Sequence, residues 1–304
     1  MNVCIQICDI NSRLSIMVFM ERGLLFYPGI PYASHRGRKT SGLKKFSYIW
    51  GAFGSGLPIC LWFKQSLYFN VNTQKVALIT GAAGHLGQAA SSRFLAAGYR
   101  VIATVSPGKR PMRVEGVPRQ PEWSPADLSD ERSARTLVNT VLAKYEHIDA
   151  ALFLAGGFAM GKLAHTNKKA LMEMIALNFE TAYYTARLVF EHMCRQARGG
   201  SLIFIGARPA LQPQAGKEMV AYSLSKSLLL QLAEIMNAQG EPKGVTASVI
   251  IPSIIDTPDN RKAMPHARFD DWVKPEEIAE MMEILCSDKA KSLRQTVLKM
   301  YGNA

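Results

Sequence analysis

From Lys75 to the C-terminus the chain alternates two kinds of segment. One is short, unbroken and apolar; the other is longer, with apolar residues recurring every three or four positions, the period of a helix buried on one face. Strands are predicted at Lys75–Thr80, Arg100–Val105, Ile148–Leu154, Ser201–Ile205, Val245–Ile251 and Thr296–Met300. Between them come helices at Gln88–Ala97, Thr166–Met193, Lys217–Ala238 and Glu276–Cys286. A further helix is expected after Ser129 as its cap, with Asp130 and Glu131 in its first turn and a stripe of Leu137, Val138, Val141, Leu142 and Tyr145. Gly98 stands just past the first helix, where a left-handed residue closes the last turn. Unbroken apolar strands suit a parallel sheet covered on both faces. The pattern therefore predicts an α/β class fold, a Rossmann-type doubly wound parallel sheet forming one domain over residues 71–304.

Residues 1–70 follow neither period and are rich in Gly, Pro, Ser and aromatic residues. The run Phe46–Phe63 is 18 residues without a charge, which just reaches the length of a membrane span. Three glycines, a proline and two serines weaken that reading. A signal peptide fits less well, because no basic segment precedes the first apolar run. The favoured reading is an irregular extension outside the fold, disordered or belonging to an upstream start that is not used.

The net charge of +12 invites a nucleic-acid reading, but its distribution removes the invitation. Residues 1–70 carry Arg13, Arg22, Arg36, Arg38, Lys39, Lys44, Lys45 and Lys64 against Asp9 and Glu21, which is half of the excess. What remains on the domain is moderate, and no nucleic-acid partner is expected. Of five cysteines only Cys194 and Cys286 fall in the domain, with no CxxC and no Cys/His cluster. Neither a disulfide framework nor a metal site is predicted, and the expected compartment is the reducing cytoplasm.

Two clusters carry chemistry. Val76–Gly87 reads as a strand running into a glycine-rich turn that offers backbone N–H groups to a pyrophosphate at a helix N-terminus. Far downstream, Tyr222 and Lys226 stand four apart, on one face of a helix. A phenol has an ordinary pKa of about 10, and a neighbouring ammonium favours its ionised form, so proton transfer comes within range. Nucleotide cradle and tuned proton donor together point to hydride transfer between a nicotinamide and a small-molecule substrate.

This order and spacing resemble the short-chain dehydrogenase/reductase family over Lys75 to Ala304. The resemblance implies that Thr80, Gly81, Gly84, His85, Leu86 and Gly87 hold the pyrophosphate, although His85 stands where members usually have a glycine. It makes Tyr222 the proton donor, and has Lys226 tune it while holding the nicotinamide ribose. Asn178 would support Lys226 through a water relay. Asp127 and Leu128 match the adenine-contacting element, Ala155, Gly156 and Gly157 the wall beside the adenine, and Pro252 and Thr257 the nicotinamide clamp. Where an acidic residue would select NAD the chain has Val105, followed by Ser106, Lys109 and Arg110. NADP(H) is therefore the expected cofactor, with NAD(H) possible.

The family's catalytic serine is replaced by Ala207. Dihydropteridine reductase-like members share that absence, the Gly-x-x-Gly-x-x-Gly turn, an Ala-Gly-Gly-aromatic segment like Ala155–Phe158 and a loop like Gly206–Arg208. These features imply a reductase of conjugated imines, quinones or carbonyls, with Ala207, Arg208 and Tyr222 at the substrate and Arg261 and Lys262 in bordering loops. A homodimer or homotetramer is implied as well. The alternative is a non-catalytic NADP(H)-binding sensor or scaffold on the same fold.

Overall fold

A computed structural model describes residues 74–303 except 291 and 295, and the strand backbones at 4–10, 13–20 and 23–31. The chain divides into two units, Met1–Ser66 and Leu67–Ala304. In the first, strands β1 (Cys4–Ile10), β2 (Arg13–Met20) and β3 (Gly23–Pro31) pair as an antiparallel meander, with an irregularity between Leu14 and Ile16. The sequence reading found no sustained period there and did not anticipate these strands. The uncharged run at 46–63 lies outside the described residues.

The second unit holds seven strands: β4 (Val76–Thr80), β5 (Arg100–Val105), β6 (Glu122–Pro125), β7 (Ala150–Phe153), β8 (Gly200–Ile205), β9 (Val245–Pro252) and β10 (Val297–Met300). They form one sheet in the order β10-β9-β8-β7-β4-β5-β6, every neighbouring pair parallel. The direction of winding reverses between β4 and β7, the place where such sheets open a crevice at the strands' carboxyl ends.

Alternate strand residues enter two separate cores. Val76, Leu78, Phe153, Leu202, Phe204 and Ile251 belong to one, with residues of α2 (Glu131–Tyr145), α4 (Thr181–Met193) and α5 (Val220–Gly240). Ala77, Ile79, Leu152, Ile203 and Ile250 belong to the other, with residues of α1 (His85–Ala96) and α6 (Pro275–Leu285). Both faces are buried, and that is why the strands carry no polar alternation.

Two predicted elements differ from the structure, and one strand was not predicted. The long helix over 166–193 is broken: α3 (Lys168–Ile175), capped by Asn167, passes through a π-turn at Ala176–Glu180 before α4 begins. The cap of α2 is Asp130, whose carboxylate accepts from the Ser133 amide at 2.8 Å, rather than Ser129. Ser129 is taken by Asp127, to which it donates both its hydroxyl and its amide. The short strand β6 had no assigned range in the sequence reading.

Candidate active site

The glycine turn is built by close approach. Gly81 adopts φ +64, and a Cβ there would lie 2.7 Å from the Ala155 nitrogen. At Gly87 a Cβ would lie 2.3 Å from the Gly81 carbonyl oxygen, so α1 reaches the turn only without a side chain. Gly84 is less constrained, with its nearest would-be contact at 3.5 Å, and leaves space above the turn. It caps α1 with no side-chain bond, and the first helical bond is Gln88 N–H to the Gly84 carbonyl at 2.8 Å. The amides of His85, Leu86 and Gly87 consequently have no partner within the helix. That open end and the clearance at Gly84 fit the diphosphate of a dinucleotide. The His85 side chain turns away toward Asp259, 3.7 Å distant.

Thr80 is buried and latches the turn to the next strand. Its hydroxyl donates to the Leu152 carbonyl at 3.2 Å and accepts from the amides of Leu154 at 3.0 Å and Ala155 at 3.4 Å. This fixes the segment Ala155-Gly156-Gly157 along one side of the crevice. A Cβ at Gly156 would sit 2.5 Å from Asn178 Oδ1 and 3.4 Å from Lys226 Nζ, so the two glycines let the chain pass over the catalytic candidates.

Asn178 is 0% exposed and lies in the π-turn. Its Oδ1 accepts from the Gly157 amide at 3.0 Å, and its Nδ2 donates to Ser225 Oγ at 3.1 Å. Ser225 in turn donates to the Tyr222 carbonyl at 2.8 Å. Asn178 thus ties the crevice wall to the helix that carries Tyr222 and Lys226. The side chain bonds to Gly157, Ser225 and, weakly, Met174, rather than to Lys226. Ser225 was missed by the sequence reading; its place between Tyr222 and Lys226, one turn before the core-facing Leu229, was the available signal.

Lys226 is buried on α5 and donates to the Ile205 carbonyl at 2.9 Å, and burial pulls its ammonium down to about 8. Tyr222, half-buried one turn earlier, is pushed up to about 12, also by burial. That reverses the direction expected from sequence, and burial is its cause. The Phe158 ring stands edge-on to Tyr222, centroids 5.0 Å apart at 74°.

Ala207 lies buried at the end of β8, where it places no hydroxyl. Arg208 packs its guanidinium over Tyr301, 5.0 Å from the ring centroid, and bonds Gln212 at 2.8 Å. Arg261 is bound by both oxygens of Asp256, at 2.6 and 2.7 Å, and stacks on Phe269. It is committed to the fold rather than open to a substrate. Thr257 caps the short helix Pro258–Ala263, accepting from Asn260, while Pro252 ends β9. Asp127 is exposed, and its two bonds from Ser129 hold its carboxyl below the usual range; Leu128 beside it is buried. Val105 is 3% exposed at the end of β5, whereas Ser106, Lys109 and Arg110 are exposed. Among the described residues no three His, Cys, Asp or Glu lie together as metal ligands.

A family model described as short chain dehydrogenase matches residues 75–267. Dihydropteridine reductase of Dictyostelium discoideum is 29% identical over 157 residues, covering 51% of this chain and 66% of the relative, just under two thirds of its length. Acetoacetyl-CoA reductase of an Acinetobacter species is 25% identical over 251 residues, covering 76% of this chain and 98% of the relative. Among solved structures, a short-chain type dehydrogenase/reductase from Mycobacterium ulcerans superposes with TM-score 0.69 at 21% identity, covering 77% of this chain and 90% of that one, a likeness of fold alone.

Proposed function

The chain belongs to the short-chain dehydrogenase family and is an oxidoreductase, and from that premise we propose that it is an NAD(P)H-dependent reductase in which Tyr222 is the proton donor. The observation that carries this reading is the bonded link Gly157–Asn178–Ser225–Tyr222, which fixes the crevice wall to the one helix face bearing a phenol and a buried ammonium. A bound nicotinamide would supply the hydride. The open end of α1 and the glycine turn would hold its diphosphate, and Lys226 would hold its ribose. Lys226, while charged, opposes the effect of burial on Tyr222 and eases release of the phenolic proton.

NADP(H) is the preferred cofactor in this proposal. Val105 supplies no carboxylate at the end of β5, and neither Lys109 nor Arg110 makes an ion pair with a described residue, so both are open to a phosphate on the adenosine ribose. The substrate is a conjugated imine or quinone. Ala207 offers no donor to a developing oxyanion, and a ring that delocalises charge needs that donor least. The likeness to a dihydropteridine reductase agrees with this class.

The test measures NADPH and NADH binding and oxidation with quinones, diketones and quinonoid dihydropterin, in wild type and in Ala207→Ser. NADPH should bind more tightly than NADH and be oxidised by the conjugated substrates. The added hydroxyl should raise kcat/KM for simple ketones by up to about a hundredfold and leave conjugated substrates nearly unchanged. Tighter NADH binding would overturn the cofactor preference, and equal gains on both classes would overturn the substrate class. NADPH binding with no turnover of any acceptor would favour the sensor reading.

A homodimer or homotetramer is proposed from α5, where Leu224, Leu228 and Ile235 are exposed along a single stripe. Leu229, Leu232 and Met236 on the same helix are taken up by the core. A second copy would cover the stripe; a monomer by light scattering at micromolar concentration would contradict this. No helix among the described residues is long and apolar enough to cross a membrane. With Cys194 and Cys286 both free, the cytoplasm is the proposed location.

A further inference from the structure

Tyr301, Gly302 and Asn303 follow β10 at the carboxyl end of the sheet, and each is fastened to a different part of the fold. The Tyr301 carbonyl accepts from Ser253 Oγ at 2.6 Å, and the Ser253 amide donates to the Met300 carbonyl at 2.9 Å. These bonds tie the turn to the loop after β9. The Asn303 amide donates to the Asp271 carbonyl at 3.0 Å. Gly302 between them adopts φ +59, and a Cβ there would lie 2.4 Å from the Asp271 oxygen and 3.3 Å from its carbonyl carbon. Only glycine meets both demands, the left-handed backbone and the close approach. From the loop after β8, Arg208 lays its guanidinium over the Tyr301 ring, 5.0 Å from the centroid.

The stretch held by Gly302 and Asn303 leads back to the loop after β9. The Val273 amide donates to the Ile254 carbonyl at 3.0 Å, and the Val273 carbonyl accepts from the Asp256 amide at 2.8 Å. Phe269 packs on Trp272, centroids 4.9 Å apart, and carries the Arg261 guanidinium at 4.7 Å. Arg261 in turn grips both oxygens of Asp256, the residue before Thr257. Two routes therefore run from this turn to the segment Pro252–Thr257, one through Ser253 and one through Asp271 and Val273. We infer that Tyr301 and Gly302 are positioning residues that set the nicotinamide end of the site by bracing that segment. The glycine turn at α1, which faces the diphosphate, makes none of these contacts. The inference deepens the proposed reductase function and rests on it for the cofactor. The Tyr301 hydroxyl is buried without a hydrogen-bond partner, so the bracing is done by the ring and the backbone.

The experiment compares wild type with Gly302→Ala, Ser253→Ala, Tyr301→Ala and Tyr301→Phe in the full chain. Each is titrated by calorimetry with NADPH and with 2′-phosphoadenosine diphosphoribose, the same molecule without its nicotinamide. Gly302→Ala and Tyr301→Ala should raise the Kd for NADPH about tenfold and leave that for the fragment within about twofold. Ser253→Ala removes a single hydrogen bond and guards against a variant that does not fold; it should weaken NADPH about threefold and spare the fragment. Tyr301→Phe keeps the ring and should match wild type for both compounds. Equal weakening of NADPH and fragment in Gly302→Ala and Ser253→Ala overturns the inference, because the turn would then support the fold at large. Unchanged NADPH binding in those two variants overturns it as well, and so does a Tyr301→Phe variant that loses NADPH affinity, which would move the role to the hydroxyl. A wild type that binds neither compound refutes the proposed cofactor, and the inference with it.

Discussion

Replacing Tyr222 with Phe should lower kcat about 10²–10⁴-fold, the range spanned by general acid catalysis, while the Kd for NADPH stays within a few-fold. The substitution keeps the aromatic ring, so the edge contact with Phe158 and the packing at the start of α5 survive. Only the hydroxyl is lost. The Ser225 bond is retained as well, because it runs to the backbone carbonyl of residue 222. Stopped-flow NADPH oxidation alongside a fluorescence titration of NADPH checks both halves, and a variant that keeps most of its kcat would remove Tyr222 from its assigned role. The pH profile of the wild type supplies a companion signature. Lys226 is pulled down to about 8 and Tyr222 is pushed up to about 12. As pH rises through about 8 the free enzyme loses the ammonium while the phenol keeps its proton, so kcat/KM for reduction should fall across that region. The same shift has a consequence for stability. Between about 8 and the ordinary lysine value of 10.5 the unfolded chain binds more protons than the folded one, so Lys226 contributes a stability that rises with pH across that window.

Gly87→Ala should cost stability and cofactor binding together. The new methyl would lie 2.3 Å from the Gly81 oxygen and 2.5 Å from the Ala82 Cα, and both are backbone atoms that no rotamer change can clear. Helix α1 must back away from the turn, which costs about 1–3 kcal/mol as overpacking and misplaces the amides that face the diphosphate. NADPH affinity should fall at least about tenfold for a loss of that size at the cradle. Gly84→Ala is the control, since its Cβ would make an ordinary 3.5 Å contact. That variant should unfold within a few degrees of wild type. Thermal unfolding and NADPH titration of both variants separate a packing requirement from clearance for the ligand; equal melting temperatures for the two would refute the close-packing argument.

The central strands were legible because each is buried on both faces, leaving an unbroken apolar run. At the edges the signal fades: β10 is partly exposed, and β6 is a four-residue strand of Glu, Trp, Ser and Pro with no apolar run. The break in the long helix was not legible. It accompanies a buried asparagine whose partners are 21 and 47 residues away, and local spacing carries no trace of them. The cap of α2 slipped by one residue for a similar reason, since Ser129 is claimed by Asp127 and the role falls to Asp130. In the site, the glycines, Tyr222 and Lys226 stood out because their chemistry demands particular residue types at fixed spacing. Phe158 was legible as the aromatic closing an Ala-Gly-Gly segment, but the bridge from Gly161 to Met219 that brings its loop against α5 was not. Arg261 looked available in the sequence, but the structure commits it to Asp256, five residues earlier.

The sheet acts as a partition. Phe94 on α1 and Leu229 on α5 belong to different cores, separated by a full layer of strands. Changes in the two compartments share no partners, so their energetic effects should add rather than interact. In the proposed function the diphosphate belongs to one compartment, through α1 and its turn, and the nicotinamide ribose and the proton to the other, through α5. The latch at Thr80 and the bonds from Asn178 are where the two sides are made to agree on position. Such a layout lets substrate preference drift by changes above one core while the grip on the diphosphate, built over the other, stays as it was.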